Sequence, residues 1–375
     1  MEEKIKEIVL TGGPCAGKTT GLSYISEKLM DYGFRVFLVP EVATIFIKGG
    51  INDISEIFKN DPEKYQKIEE RMVLTQRALR REYNELANIF DGKKVIIFDR
   101  GEMDAMAYIS EKFFKAILED NHLTLKDVRD SYDAVIHLIT AANGAREFYT
   151  TDNNEARRES AEEALIADEK TLNAWIGHPH LRIIDNATDF EGKMKRLLKT
   201  IARALDIPVP LEIERKFLVK MVQFNNKEIE SLNSGQKILI EQMYLDSKEG
   251  EEVRIRKRSQ NGSSTYYKTW KAKQSCHGRP EKEKIISAVD YFELQKLRDK
   301  TKKIIKKNRL CFVYNNQYFE LDDFLAPINL LMLEIELTEE NDKVELPPFF
   351  EIEKEVTNDP KYSNYEIANG IIEKC

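Results

Sequence analysis

Charged residues make up 33% of this 375-residue chain and hydrophobic residues 42%, the balance of a water-exposed folded protein too long for one core of ordinary size. No run of about 18 apolar residues is present to span a membrane, and the start Met1-Glu2-Glu3-Lys4 lacks the charged-then-apolar pattern of an export signal. A net charge of -7 argues against DNA as a partner, and the scattered Cys15, Cys276, Cys311 and Cys375, with no C-x-x-C pair, fit a reducing, cytoplasmic setting without a zinc ribbon or disulfide frame.

Lys6-Glu7-Ile8-Val9-Leu10 reads as a short buried strand. It runs into Gly12-Gly13-Pro14-Cys15-Ala16-Gly17-Lys18-Thr19, the pattern G-x-x-x-x-G-K-T. Thr20 to Leu29 follow with Leu22, Ile25 and Leu29 at helical spacing. Strand, glycine turn and helix together make a phosphate cradle. The glycines let successive backbone N–H groups turn onto an anion, and the helix start adds its positive end. Residues Gly12 to Thr20 are therefore the candidate binding loop for GTP or ATP. Lys18 is expected at the β- and γ-phosphates and the Thr19 hydroxyl on Mg²⁺.

Arg35-Val36-Phe37-Leu38-Val39 reads as a second parallel strand ending at Pro40-Glu41. Ligands of open α/β sheets bind beyond the carboxyl ends of strands, which puts Glu41 beside a phosphoryl acceptor; helix capping is the competing reading. Asp61 to Phe90 reads as a long helix with Tyr65, Ile68, Met72, Leu79, Tyr83 and Leu86 in an apolar stripe and its charges on a solvated face. Lys94-Val95-Ile96-Ile97-Phe98 is a buried strand that ends in Asp99-Arg100-Gly101. An aspartate at that place holds Mg²⁺ in the Walker B arrangement, and Arg100 could clamp a phosphoryl group. Lys18, Glu41, Asp99 and Arg100 form the candidate catalytic set. A strand over Ala134 to Ile139 leads to Arg146, Arg157 and Arg158, which read either as a kinase-type lid or as surface arginines. Leu181 to Asn186 gives a fifth strand, and Phe190 to Leu205 a closing amphipathic helix. His178 and His180, around Pro179, read as an exposed turn. The alternation predicts a parallel sheet with helices on both faces.

The strings G-G-P-C-A-G-K-T-T, V-P-E-V-A-T and F-D-R-G-E-M-D resemble the nucleotide kinase-like ATPase domains grouped with nicotinamide riboside and thymidylate kinases. A-A-N-G-A-R-E-F-Y-T-T and I-D-N-A-T-D-F-E-G-K-M-K-R-L resemble a narrower group, the insect TRPL translocation defect proteins. This resemblance spans most of residues 5 to 205. It implies GTP as the ligand and a tunnel domain after the first; kinase activity is not implied.

Asp206-Ile207-Pro208-Val209-Pro210 breaks the helix. The expected division is a P-loop domain over 1–206, a linker over 207–210 and a second domain over 211–375. In the second half charge recurs every two residues, so Glu212, Glu214 and Lys216 share one face of a strand. Arg254/Arg256, Glu281/Glu283, Lys307/Arg309 and Glu334/Glu336 repeat the spacing, Asp322 lies on another strand, and Thr269 and Lys271 share a face. One reading is a half-buried antiparallel sheet with a wet charged face. The other is a closed barrel whose interior serves a polyphosphate, with cations on phosphate oxygens and carboxylates on Mg²⁺ or Mn²⁺. Packing such charges inside is costly unless ligands neutralise them, which favours a ligand site.

E-I-E-R-K, R-I-R, T-W-K, E-K-E after Arg279, K-N-R, L-D-D-F and E-I-E are similar, in order, to the CYTH or triphosphate tunnel metalloenzyme superfamily over about residues 211 to 370. That resemblance implies an eight-stranded antiparallel tunnel. It implies Glu212, Glu214 and Glu336 as metal ligands with Asp322 and Glu334 near them. Lys216, Arg254, Arg256, Lys271, Lys307 and Arg309 are then the triphosphate ligands. Lys296 to Lys307 is basic and reads as a solvated helix end, although an anionic membrane surface could also meet it.

Two functions follow. In the first, the P-loop domain binds GTP or ATP with Mg²⁺, and the tunnel captures a polyphosphate or phosphoinositide headgroup, in membrane-protein trafficking. The protein is then cytoplasmic or peripheral at membranes. In the second, the tunnel is a metal-dependent tripolyphosphatase or nucleoside triphosphatase beside a small-molecule kinase-like domain.

Overall fold

A computed structural model describes residues 4–145, 160–207, 213–220, 235–248, 250–271, 281–337 and 342–370. The chain divides into two compact units, Met1–Leu205 and Asp206–Cys375. Glu212, Arg146, Arg157, Arg158 and residues 208–210 lie outside the described residues.

In the first unit β1 (Lys6–Gly12), β2 (Arg35–Val39), β3 (Lys94–Asp99), β4 (Ala134–Leu138) and β5 (Leu181–Ile184) form an all-parallel sheet in the order β2-β3-β1-β4-β5. The continuous apolar runs of β1, β3 and β4 are buried along nearly their whole length, as a sheet covered on both faces requires. The order reverses at β1, so the crevice beyond its carboxyl end is where this topology places a ligand. The covering helices are α1 (Lys18–Asp31), α2 (Val42–Lys48), α3 (Ile54–Asn60), α4 (Pro62–Asn88), α5 (Glu111–Asp120), α6 (Leu125–Val128), α7 (Ala161–Trp175) and α8 (Phe190–Ala204). Asp61 starts α4 by accepting from the Lys64 N–H, with Pro62 in the first turn, and Asp189 starts α8 by accepting from Gly192 N–H.

Two expectations change here. The charged positions of α4 are not all solvated: Glu69 and Gln76 are buried, and Arg80 binds both oxygens of Glu7. His178 is fully buried rather than in an exposed turn. Its Nε2 lies 3.2 Å from the Tyr132 carbonyl and its Nδ1 accepts from the His180 N–H at 3.0 Å, so both ring nitrogens are satisfied inside.

The second unit is one antiparallel sheet of β6 (Ile213–Val219), β7 (Gln236–Leu245), β8 (Glu252–Gln260), β9 (Ser263–Lys271), β10 (Glu281–Ile286), β11 (Ile305–Tyr314), β12 (Gln317–Ala326), β13 (Leu330–Leu337) and β14 (Ile352–Glu355). The strand order is β10-β9-β8-β7-β11-β12-β13-β6-β14. The short β14 brings the described strands to nine, one more than the eight implied by resemblance. Asn261-Gly262 and Asn315-Asn316 all have positive φ, turning β8 into β9 and β11 into β12 with the tight hairpins that such residues favour.

The outward alternate side chains of β6, β11, β12 and β13 are apolar. Phe217, Phe312, Phe319, Leu333 and Ile335 pack there under Leu346, Phe349 and Phe350. The intervening positions carry the charges. Four of them are buried: Lys307, Arg309, Asp322 and Glu334 are 3%, 6%, 0% and 5% exposed. That decides between the two readings of the two-residue charge period in favour of an inward charged face.

Candidate phosphate-binding sites

At the end of β1, Gly12 has φ +145, and a Cβ there would lie 2.2 Å from the Leu138 carbonyl oxygen. Only glycine lets the loop leave β1 so close to β4. Lys18, the first residue of α1, folds back so that Nζ donates to the carbonyls of Gly12 at 2.8 Å and Gly13 at 3.0 Å. The loop is pinned from both sides. Asp168 of α7 accepts from the Gly13 N–H at 2.6 Å while pairing with His137 Nε2 of β4 at 3.0 Å. The Thr140 hydroxyl donates to the Pro14 carbonyl.

Glu41, Asp99, Arg100 and Asp104 surround the Lys18 end of this loop as charged neighbours. Arg100, held at φ +70, donates through Nε to Glu41 at 2.7 Å and reaches Asp104 at 3.4 Å. Asp104 also accepts from Thr11, the Gly101 N–H and Trp175 Nε1, so it orients Arg100 from a fixed base. Glu41 is not merely a helix cap: its carboxylate takes Arg100 and the Thr44 hydroxyl. Burial opposes its ionisation, yet Arg100 and Thr44 overcome this and bring its pKa to about 2. Asp99 goes the other way. Burial first, then the neighbouring Glu41 charge, lift its pKa to about 6. Its Oδ1 is buried and accepts no hydrogen bond among the described residues. An unsatisfied hard oxygen beside a phosphate loop suits Mg²⁺, with Thr19 and Asp99 as the residues that would hold it.

Lys18 has a pKa lowered to about 8, by burial first and then by Arg100. A bound phosphate favours the ammonium and raises that value, so binding takes up a proton between about pH 8 and 10. Nucleotide affinity is therefore expected to fall as pH rises past 8. Calorimetric titration in buffers of different ionisation enthalpy should show proton uptake at pH 8.5 and little at pH 6.5. A pH-independent affinity from 6.5 to 9.5 contradicts this placement of Lys18.

The inward face of the second unit brings most of the other candidates together. Cross-strand register sets Glu334 opposite Lys216, Glu336 opposite Glu214, and Arg309 opposite Asp322. Lys216 Nζ lies 3.0 Å from Glu214 and 3.5 Å from Glu334. Arg309 meets Asp322 at 2.7 and 2.6 Å and Glu334 at 2.9 Å, and also binds Glu320. Lys307 takes the other side of Asp322. Further round the sheet, Arg256 holds both oxygens of Glu283 at 2.8 and 2.9 Å, and Thr269 donates to the same carboxylate. Arg254 stands opposite Thr269, and Lys271 opposite Glu252 and Glu281. Glu336 is exposed. The face is thus graded, from carboxylates on β12, β13 and β6 to guanidinium groups on β8.

Burial opposes ionisation of Asp322, but Arg309 and Lys307 hold its pKa well below the carboxylate range. Burial raises that of Glu334, against Lys216 and with help from Glu214. Glu334 Oε1 accepts no hydrogen bond among the described residues. Among those residues no group of three or more histidine, cysteine or acidic side chains converges to hold a metal. The acidic neighbours of Glu334, Glu214 and Asp322, carry oxygen donors, the kind that Mg²⁺ or Mn²⁺ takes.

Sequence reasoning missed several of these residues. Arg258, 3% exposed, continues the two-residue period of Arg254 and Arg256. Glu320 continues that of Asp322. Asp104 lies four residues past Arg100. Asp168 and His137 gave no sequence signal, because Asp168 is distant in the chain from both of its partners, Gly13 and His137.

Residues 7–193 match the AAA domain family, and residues 210–362 match the CYTH domain family. The chain is an AAA-like P-loop domain fused to a CYTH domain. Two solved structures of NE1496, one described as an inorganic triphosphatase and one as a hypothetical protein, are 27% and 29% identical. They cover 43% and 42% of this chain and 96% and 98% of their own, with TM-scores of 0.31 and 0.30. PH1819 from Pyrococcus horikoshii OT3 is 22% identical over 35% of this chain and 80% of its own, with a TM-score of 0.27. No curated protein matches the chain. Among the described residues no helix is long and apolar enough to cross a membrane.

Proposed function

We propose that the CYTH domain hydrolyses a triphosphate, inorganic or nucleoside, with a divalent cation, and that the AAA-like domain binds GTP or ATP with Mg²⁺. Residues 207–210 serve as the linker between the two. The observation that carries the tunnel reading is the buried, two-signed face, where four charged side chains at most 6% exposed face one another. Burying so many ions brings the fold little or no net stability, so a ligand that uses them is the better account.

In this reading Lys216, Arg254, Arg256, Lys271, Lys307 and Arg309 orient the phosphate chain. Glu214, Asp322, Glu334 and Glu336 form the acidic side that would hold the cation, with Glu212, outside the described residues, assigned to it by the resemblance alone. When bound, a cation there would neutralise phosphate oxygens and acidify a water. Hydrolysis joins the water oxygen to the terminal phosphorus, breaks the terminal P–O–P bond, gives up the water proton, and releases orthophosphate with diphosphate from tripolyphosphate or with the nucleoside diphosphate from a nucleoside triphosphate. In the AAA-like domain Lys18, Asp99, Arg100 and Glu41 frame the terminal phosphate, with Gly12 to Thr20 as the cradle.

A second reading has support of its own. Both oxygens of Asp322 are already engaged by Lys307 and Arg309. A face balanced in this way suits a receptor for a polyphosphate or phosphoinositide headgroup, with the GTP dependence, trafficking role and peripheral membrane contact that the TRPL translocation defect resemblance implies.

The test is phosphate release from tripolyphosphate and from GTP by the full chain, with Mg²⁺ or Mn²⁺. Glu214→Gln/Glu334→Gln is expected to lower release at least 100-fold while Lys18→Ala lowers it less than twofold. Release that survives the double variant and disappears in Lys18→Ala would transfer the activity to the P-loop. Tight tripolyphosphate binding without release by the unaltered chain would establish the receptor reading.

A further inference from the structure

The two ends of the phosphate cradle differ. Lys18 Nζ rests on the carbonyls of Gly12 and Gly13, and Glu41, Asp99, Arg100 and Asp104 gather around it. A lysine in this motif reaches the β- and γ-phosphates, so the terminal phosphate lies toward Gly12 and Gly13. The α-phosphate, and the nucleoside beyond it, must then leave at the opposite end, over Gly17 and the start of α1.

At that end stands Phe190, the first residue of α8. Its ring edge lies 3.0 Å from where a Gly17 Cβ would be, and the residue is 51% exposed. The half-exposed Phe190 ring thus lies against the loop on the side where the nucleoside leaves.

The loops around this ring are cross-braced from beneath. Lys193, 3% exposed, donates to the Ile139 carbonyl and to Asn186 Oδ1, each at 2.7 Å. Asn186 Nδ2 in turn donates to the carbonyls of Thr140 at 2.8 Å and Asn143 at 2.6 Å. Thr140 and Ala141 are tied to the P-loop itself, through the Pro14 and Cys15 carbonyls. The loop after β4, the loop after β5 and the phosphate loop are therefore fixed to one another, and Phe190 follows the last of the three fixed strand-end segments as the first residue of α8. Burial lowers the Lys193 pKa to about 8, so this ammonium is held where it costs the fold, in order to brace two loops.

We infer that Phe190 is the platform on which the base of the bound nucleoside triphosphate stacks, with Lys193 and Asn186 as positioning residues behind it. The inference rests on the P-loop reading above. Stacking on an aromatic face tolerates any base, and its strength grows with ring area. Purine nucleotides are therefore expected to bind more tightly than pyrimidine nucleotides, and phosphate chains without a base to gain nothing.

The experiment displaces a ribose-labelled fluorescent GTP from the full chain with GTP, ATP, CTP or tripolyphosphate. In Phe190→Ala, GTP and ATP are expected to compete about tenfold less well, and tripolyphosphate within twofold of its original strength. Phe190→Trp should recover nucleotide affinity and report it directly as quenching of the new indole. The Phe190 ring is half exposed, so neither substitution opens a core cavity. Unchanged GTP and ATP competition in Phe190→Ala, with probe binding lost in Lys18→Ala, overturns the platform and leaves the P-loop site standing. An equal loss for tripolyphosphate and nucleotides in Phe190→Ala also overturns it. Probe binding that is unchanged in Lys18→Ala and lost in Arg309→Met overturns the P-loop reading itself, since the tunnel then holds the nucleotide.

Discussion

Arg309→Met is expected to destabilise the CYTH domain by about 3–5 kcal/mol and to abolish triphosphate binding. Among the described residues Arg309 is the one side chain that meets Asp322, Glu320 and Glu334 together, and every one of these residues is largely buried. Removing it leaves three carboxylates facing only Lys307 and Lys216 in a region with little water. The loss should be read by hydrogen exchange across β11 and β12. Its pH dependence carries a sign. In the unaltered protein Asp322 has a depressed pKa, so its pairing contributes stability above its unfolded value near 4 and loses it as pH falls. With Arg309 gone burial dominates and the Asp322 pKa moves upward, so the variant should recover protection as pH drops from 7 to 5. Adding Asp322→Asn should restore part of the lost stability, since it removes the stranded charge, while binding stays absent. Near-normal protection and binding in Arg309→Met would show that the inward charges are ornamental to both fold and ligand.

Lys18→Ala is expected to weaken GTP and ATP binding at least 100-fold and leave phosphate release by the CYTH domain within twofold. The side chain is half-buried and its pKa already depressed to about 8, so folding holds this charge at a cost that a phosphate offsets. For the same reason the nucleotide-free variant should melt no lower than the parent at pH 7. Its folded pKa lies below the unfolded value near 10.5, so the ammonium contributes instability below pH 8 that fades as pH rises toward 10.5. Calorimetry with GTP and Mg²⁺ reads the binding, and thermal unfolding without nucleotide reads the rest. Parallel loss of both activities would mean that the two phosphate sites are not independent.

Much of the architecture was legible in the residues. The G-x-x-x-x-G-K-T run needs a strand before it and a helix after it, and the chain provides both within 31 residues. The two-residue charge period from Glu214 to Glu336 named one face of each strand, because strand side chains alternate strictly. That period could not say whether the face was wet. Burial is a property of what covers the other side, and here Leu346, Phe349 and Phe350, in the segment after β13, take the apolar face and leave the charges inward. His178 went wrong in the same way: its polarity suggested an outside turn, and only the carbonyl of Tyr132, 46 residues away, explains why the ring is inside.

Local pattern therefore determined element type, order and the chemical kind of each site. Contact across the fold decided which of those groups meet. The Asp168–Gly13–His137 bracket, the Arg309 pairs and the Phe190–Gly17 approach each join residues from separate elements. Such pairings depend on the distance and desolvation that tertiary packing imposes, and neither quantity is written in the spacing of residues along a chain.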